Sequence, residues 1–183
     1  MNRHDRKLWA SARTLADVSA LTVRWLNGEI KQTPGHGGPP CAETIPHIEV
    51  LTAVNRAGFL TTNSQSAAVA SWGTCEAWVA GLMSGEALQR IQAEVIANPP
   101  LILAGARAHQ RFGESPLNLR AAWRDDTGFY ADRCPQAAAE IRDAWFITIT
   151  DPEPGRNDRL WPALADFAEP RCYRCGRPLK AAS

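Results

Sequence analysis

No stretch of this sequence approaches the roughly 18 consecutive apolar residues that a membrane-spanning helix needs. The opening segment MNRHDRKLW is charged and no apolar run follows it, so no secretion signal is expected and the chain reads as cytoplasmic. An excess of one charge is also lacking: 20 Lys and Arg face 19 Asp and Glu, for a net charge of +1. That balance gives no general electrostatic pull toward nucleic acid or an anionic bilayer. Signatures of familiar chemistry are missing too. There is no G-x-S-x-G elbow, no phosphate-binding P-loop and no G-x-G-x-x-G behind a strand. The stretch HGGPP, from His36, does not replace them, because Pro39 and Pro40 remove two N–H groups that a phosphate cradle uses. The four histidines offer little. His36 reads as solvated and His47 as a surface residue, while His4 and His109 have no evident partner.

What is present is the patterning of a folded domain. The 183 residues suit one domain with a short appendage, and 45% are hydrophobic. Thr14 and Asp17 have the spacing of a helix-capping pair, and Leu15, Val18, Leu21, Thr22, Trp25 and Leu26 form a stripe behind them. Gly28 marks the stop. Gln32 to Cys41 is a loop by composition. A second helix is predicted from about Thr44, with Pro46 in its first turn and Ile45, Ile48, Leu51 and Val54 on one face. Gly58 ends it. Phe59–Gln65 reads as a short strand running into a polar turn, and further strands are predicted at Ala77–Met83, Leu101–Ala106 and Trp145–Thr150. Further helices are expected after Ser84, from Pro135 to Ala144, and over Arg159–Phe167. Between Ala108 and Asp132, NLRAAWR and GFYADR suggest a hairpin around DDTG. The alternation predicts an α/β or α+β domain over residues 1–168, a single mixed sheet of about four to five strands flanked by about five helices. A polar tail, 169–183, follows. Trp9, Trp25, Trp78, Trp145 and Trp161 fall on apolar faces and are expected in the core, whereas Trp72 lies in a segment of loop-like composition, SWGTCE.

Three blocks have a familiar look. Residues 9–17 read W-x-x-A-R-T-L-x-D, residues 55–65 read N-R-A-G-F-x-T-x-x-S-Q, and residues 151–161 read D-P-x-x-G-R-x-D-x-L-W. Together they resemble an uncharacterised domain family of actinobacterial proteins and their phages. The resemblance implies a shared fold and carries no activity with it. Where that family continues S-Q with Pro-Gly, this chain has Ser66 and Ala67, so this turn is expected to differ.

Two of those blocks place polar turns where strands end. In open α/β sheets, ligands bind beyond the carboxyl ends of strands and beside helix N-termini. If the two strands are parallel neighbours, Thr61, Thr62, Ser64, Gln65, Asp151, Arg156, Asn157 and Asp158 line one crevice. Such a set suits a polar small molecule or nucleotide, with Arg156 gripping a phosphate or carboxylate and Asp151 or Asp158 acting as a base. The plainer reading gives Asn157 or Asp158 to a helix cap and pairs Arg156 with Asp151 or Glu153.

Five cysteines is an odd count, and a reducing compartment favours thiols or a metal site over disulfides. Cys172 and Cys175 form a C-x-x-C half of a zinc knuckle, which needs two more ligands. Cys134 is the first choice of third ligand, as it precedes a helix in what reads as an exposed turn. Cys41 is second and Cys75 third. The plainer reading is a solvated tail with free thiols. Three functions therefore stand side by side. One is a small-molecule-binding domain that is also a candidate enzyme. Another is a phage or mobile-element protein that modulates a host protein. The third is a nucleic-acid-associated protein using the basic tail Arg171, Arg174, Arg177 and Lys180.

Overall fold

Thr14 and Asp17 form the capping box their spacing predicts. The Thr14 hydroxyl accepts the Asp17 N–H at 3.1 Å, and the Asp17 carboxylate accepts the N–H groups of Thr14 (3.1 Å) and Arg13 (2.9 Å). Those bonds, that from Arg13 foremost, hold the Asp17 carboxyl below its usual range. In this computed structural model, which describes residues 1–70, 73–107 and 126–169, the helix so started is α2, Leu15–Leu26. Before it stands α1, Arg3–Ser11, which its charged composition conceals. A 3-10 turn at Ile45–His47, holding Pro46, leads into α3, Ile48–Arg56. Gly28 and Gly58 adopt φ of +78° and +95° just beyond α2 and α3, a conformation that favours glycine.

The remaining elements are β1 (Phe59–Gln65), β2 (Ala68–Ala70), β3 (Gly73–Cys75), β4 (Ala77–Met83), α4 (Gly85–Ala97), β5 (Ile102–Arg107), α5 (Asp126–Arg133), α6 (Ala138–Asp143), β6 (Trp145–Asp151) and α7 (Leu160–Ala168). The Ser84 hydroxyl caps α4 by accepting the Ala87 N–H at 3.2 Å. GFYADR lies in α5, not in a hairpin strand, because Tyr130 and Ala131 are buried together on a helical face against Trp9. NLRAAWR lies outside the described residues. SWGTCE contributes the short strand β3, which pairs with β2.

Four strands form one sheet in the order β1-β4-β6-β5, antiparallel throughout rather than mixed, beside the two-stranded β2-β3 ribbon. With seven α-helices among the described residues, against about five expected, this is an α+β fold. The sheet is buried from both sides. On one face Phe59, Val79, Met83, Ile147 and Ile149 pack against α3, α4 and α7. On the other, Leu60, Leu82 and Phe146 meet α1, α5 and α6. Helix α2 serves both clusters, with Leu26 in the first and Val18 and Leu21 in the second. Each Leu- or Ile-sized side chain buried this way contributes about 1.5–3 kcal/mol. Trp9 and Trp161 are buried as expected, while Trp25, Trp78 and Trp145 are half-buried. Trp72 lies outside the described residues. No described helix is long and apolar enough to cross a membrane.

Candidate functional site

Because β1 and β6 both pair antiparallel with β4, they run parallel to each other with β4 between them. They are therefore not neighbours, but their ends reach the same end of the sheet. Gln65 pairs with Trp78, which pairs with Thr150, and Ala77 pairs with Asp151. Two strand spacings put Gln65 and Thr150 about 10 Å apart. One side chain ties the two turns together. The Asn157 oxygen accepts the Ala67 N–H at 2.9 Å, and its amide nitrogen donates to the Ala67 carbonyl at 2.9 Å. The same oxygen accepts the Trp161 indole N–H at 3.2 Å. Around this clamp the Ser66 hydroxyl donates to the Glu43 carbonyl and the Gly155 N–H to the Cys75 carbonyl. The His47 ring, at the start of α3, stacks on Trp161 with centroids 3.7 Å apart and planes 7° from parallel. His47 is thus half-buried and not a free surface residue, and burial lowers its pKa.

Of the eight residues singled out in the sequence, the register puts those on the strands on both faces of the sheet. Side chains alternate along a strand, and a bulge sets Asn63 against Ala80. By this register Thr61 and Ser64 share the face of Val79 and Asp151, while Gln65 shares that of Trp78 and Thr150 on the other side. Thr62 sits in the bulge, with a long contact of 3.5 Å to the Ala80 carbonyl. Thr61 serves the fold, since its N–H and hydroxyl both bond Asn55. Asn55, 1% exposed, also donates to the Leu51 carbonyl and so fastens the end of α3 to β1. That bonding accounts for the N-R-A-G-F-x-T spacing.

Arg156 is held by two carboxylates. It grips Asp158 through two nitrogens, at 3.0 and 2.6 Å, and Glu153 through a third, at 2.9 Å. Arg156 in turn holds Asp158 down to a pKa of about 2. Asn157 and Asp158 do not cap α7; the residue before the helix is Arg159, which makes no side-chain cap.

Asp151 is 0% exposed. One of its oxygens accepts the Glu153 N–H at 3.1 Å and lies 3.7 Å from Nη1 of Arg159, inside ion-pair range but too long for a hydrogen bond. Its other oxygen and Arg159 Nη1 are both buried without a hydrogen-bond partner. Arg159 is 22% exposed and is anchored by Nη2 on Glu153 at 3.0 Å. That bond is the main reason the Glu153 carboxyl is lowered. Nothing in the sequence singles out Arg159, because its position reads as a helix start.

The metal reading loses its first choice. Cys134 is 0% exposed inside the apolar cluster of α1, α5 and α6, and burial raises its thiol to about 12, so it is no accessible thiolate. Cys75 is partly buried and donates to the Ser66 carbonyl at 3.6 Å. Cys41 is exposed, with its sulfur 3.9 Å from Nε2 of His36. His36 is not free in solvent: that nitrogen contacts the Pro39 carbonyl at 3.0 Å and its ring meets Trp25 edge-on. Cys172 and Cys175 lie outside the described residues. No group of three or more metal-ligating side chains occurs among the described residues.

No curated protein matches the chain. A family model described as a domain of unknown function (DUF6919) matches residues 4–110, which span α1 to β5 and include the first two of the three sequence blocks. The chain belongs to the family of that domain of unknown function, DUF6919.

Proposed function

We propose that the domain binds a small, neutral, polar molecule at the sheet end where Asp151 meets Arg159. The observation that carries this is the pair of unmet bonds: a buried carboxylate oxygen that needs a donor, beside a buried guanidinium N–H that needs an acceptor. Each such group left unsatisfied costs about 1–3 kcal/mol. A hydroxyl or carboxamide supplies both donor and acceptor, and Arg159, the partner that reaches solvent, marks the way in. Charge argues against a phosphate. Asp151, Glu153 and Asp158 outnumber Arg156 and Arg159 by one, and Arg156 is already bound to Glu153 and Asp158. This narrows the nucleotide reading to a nucleoside, sugar or amide. Provenance among actinobacterial and phage proteins, suggested by the three motif blocks, belongs to the same proposal. The test is a melting-temperature screen with neutral sugars, nucleosides and amides beside their phosphorylated counterparts. Neutral compounds should raise the melting temperature of the parent and not of Asp151→Ala. Stabilisation by the phosphorylated set alone, or by nothing in the screen, overturns the reading.

A further inference from the structure

Helix α1 carries exposed positive charges against its own dipole. Arg3, His4, Arg6 and Lys7 are exposed in its first two turns. Its one carboxylate, Asp5, is 3% exposed and turns inward, accepting from the Asn2 side chain at 2.8 Å and the Lys31 N–H at 3.2 Å. Solvent therefore meets no carboxylate of α1, and Lys31, also exposed, follows at the Asp5 contact. Positive charge near a helix N-terminus opposes the macrodipole. Arg3–Arg6 and Arg3–Lys7 are like-charge pairs at i,i+3 and i,i+4, which repel. Arg6 donates a long bond to the Met1 carbonyl at 3.4 Å. Arg24, Arg156 and Arg159 form ion pairs away from this helix. Asp5 in the first turn meets the helix dipole, while the exposed Arg3, Arg6 and Lys7 form no ion pair with a described residue.

We infer that this face docks on a nucleic-acid backbone, contacting phosphates without reading bases. Charge complementarity carries the choice of occupant: a row of cations that forms no ion pair with the described residues matches a row of phosphates. A bilayer fits less well. Surface helices that enter membranes present an apolar face, but on α1 Trp9 is fully buried and Leu8 is half-buried against the same cluster, with no large hydrophobic residue exposed. The near-neutral whole chain conceals this clustering. The face lies on the α5–α6 side of the sheet, whereas Asp151 lies under α7, so the two proposals stand or fall separately.

The test is fluorescence anisotropy with a labelled DNA duplex of about 20 base pairs, since three phosphate contacts give a log–log salt slope of about −2.7. The parent protein should lose affinity about 40-fold between 50 and 200 mM salt. Arg3→Gln/Arg6→Gln/Lys7→Gln should abolish most of that dependence, and Lys7→Gln alone should flatten the slope by about 0.9. Circular dichroism keeps folding in view, and because the substitutions remove repulsion they should not lower the melting temperature. Replacing Arg171, Arg174 and Arg177 should leave binding unchanged. The inference is overturned by equal binding in the α1 variants, by loss in the tail variant alone, or by parent protein that binds anionic vesicles and not DNA.

Discussion

Replacing Asn157 by alanine removes the clamp between the turn after β1 and the turn before α7. Three bonds go, at 2.9, 2.9 and 3.2 Å, and they leave the Ala67 N–H, the Ala67 carbonyl and the Trp161 indole N–H without partners. Ala67 is 8% and Trp161 5% exposed, so water reaches the stranded groups poorly. A typical hydrogen bond contributes about 0.5–1.5 kcal/mol, and a buried group left unpaired costs about 1–3 kcal/mol. Part of that is recovered as the turns relax toward solvent, which gives an expected loss of about 2–4 kcal/mol. For a chain of this size each kcal/mol moves the melting temperature by about 2–4 °C, so a drop of about 5–15 °C is expected. Calorimetric melting of Asn157→Ala beside the parent measures it. Asn157→Asp is the sharper control. It keeps the accepting oxygen but sets a second oxygen against the Ala67 carbonyl, and should melt well below the parent as well. An alanine variant melting within about 2 °C of the parent would refute the idea that Asn157 joins the turns.

Two further predictions concern groups whose ionisation the fold alters. His47 has its pKa lowered by burial, so on acidification the unfolded chain takes up a proton near 6.5 before the folded one does. Its contribution is present above pH 6.5 and lost below; His47→Phe should therefore flatten the fall in melting temperature as pH drops from 7.5 toward 5, and an unchanged profile would count against it. Cys134 should stay unreacted with a thiol reagent in the native protein while Cys41 reacts, and should become available on denaturation. The same titration tests zinc at the tail: if Cys172 and Cys175 hold the metal, a chelator should raise the native thiol count by about two, and an unchanged count removes the metal.

Local chemistry wrote much of the fold into the chain. Thr14 with Asp17, Ser84, Gly28 and Gly58 act within a few residues of themselves, so helix starts and stops are legible without the tertiary structure. The apolar runs of β1, β4, β5 and β6 are legible for the same reason, since alternation and length are local. Helix α1 is not, because its capping residue Asn2 and its buried Trp9 stand among charges that mask the stripe. Helix α5 reads as a strand because the aromatic pair in GFYADR suits a strand equally well until Trp9 packs against Tyr130. Strand order decided the rest. Placing β4 between β1 and β6 brought the two polar turns to one end, strand alternation divided their side chains between the two faces of the sheet, and the bulge at Thr62 moved Ser64 onto the face of Thr61. Asn157 holds Ala67, 90 residues away, and Cys134 is buried in a cluster with Trp9 only because segments remote in the chain meet, while Arg159 reaches Asp151 across the turn between β6 and α7. Their partners are set by packing, and no residue type or spacing in the sequence encodes them one at a time.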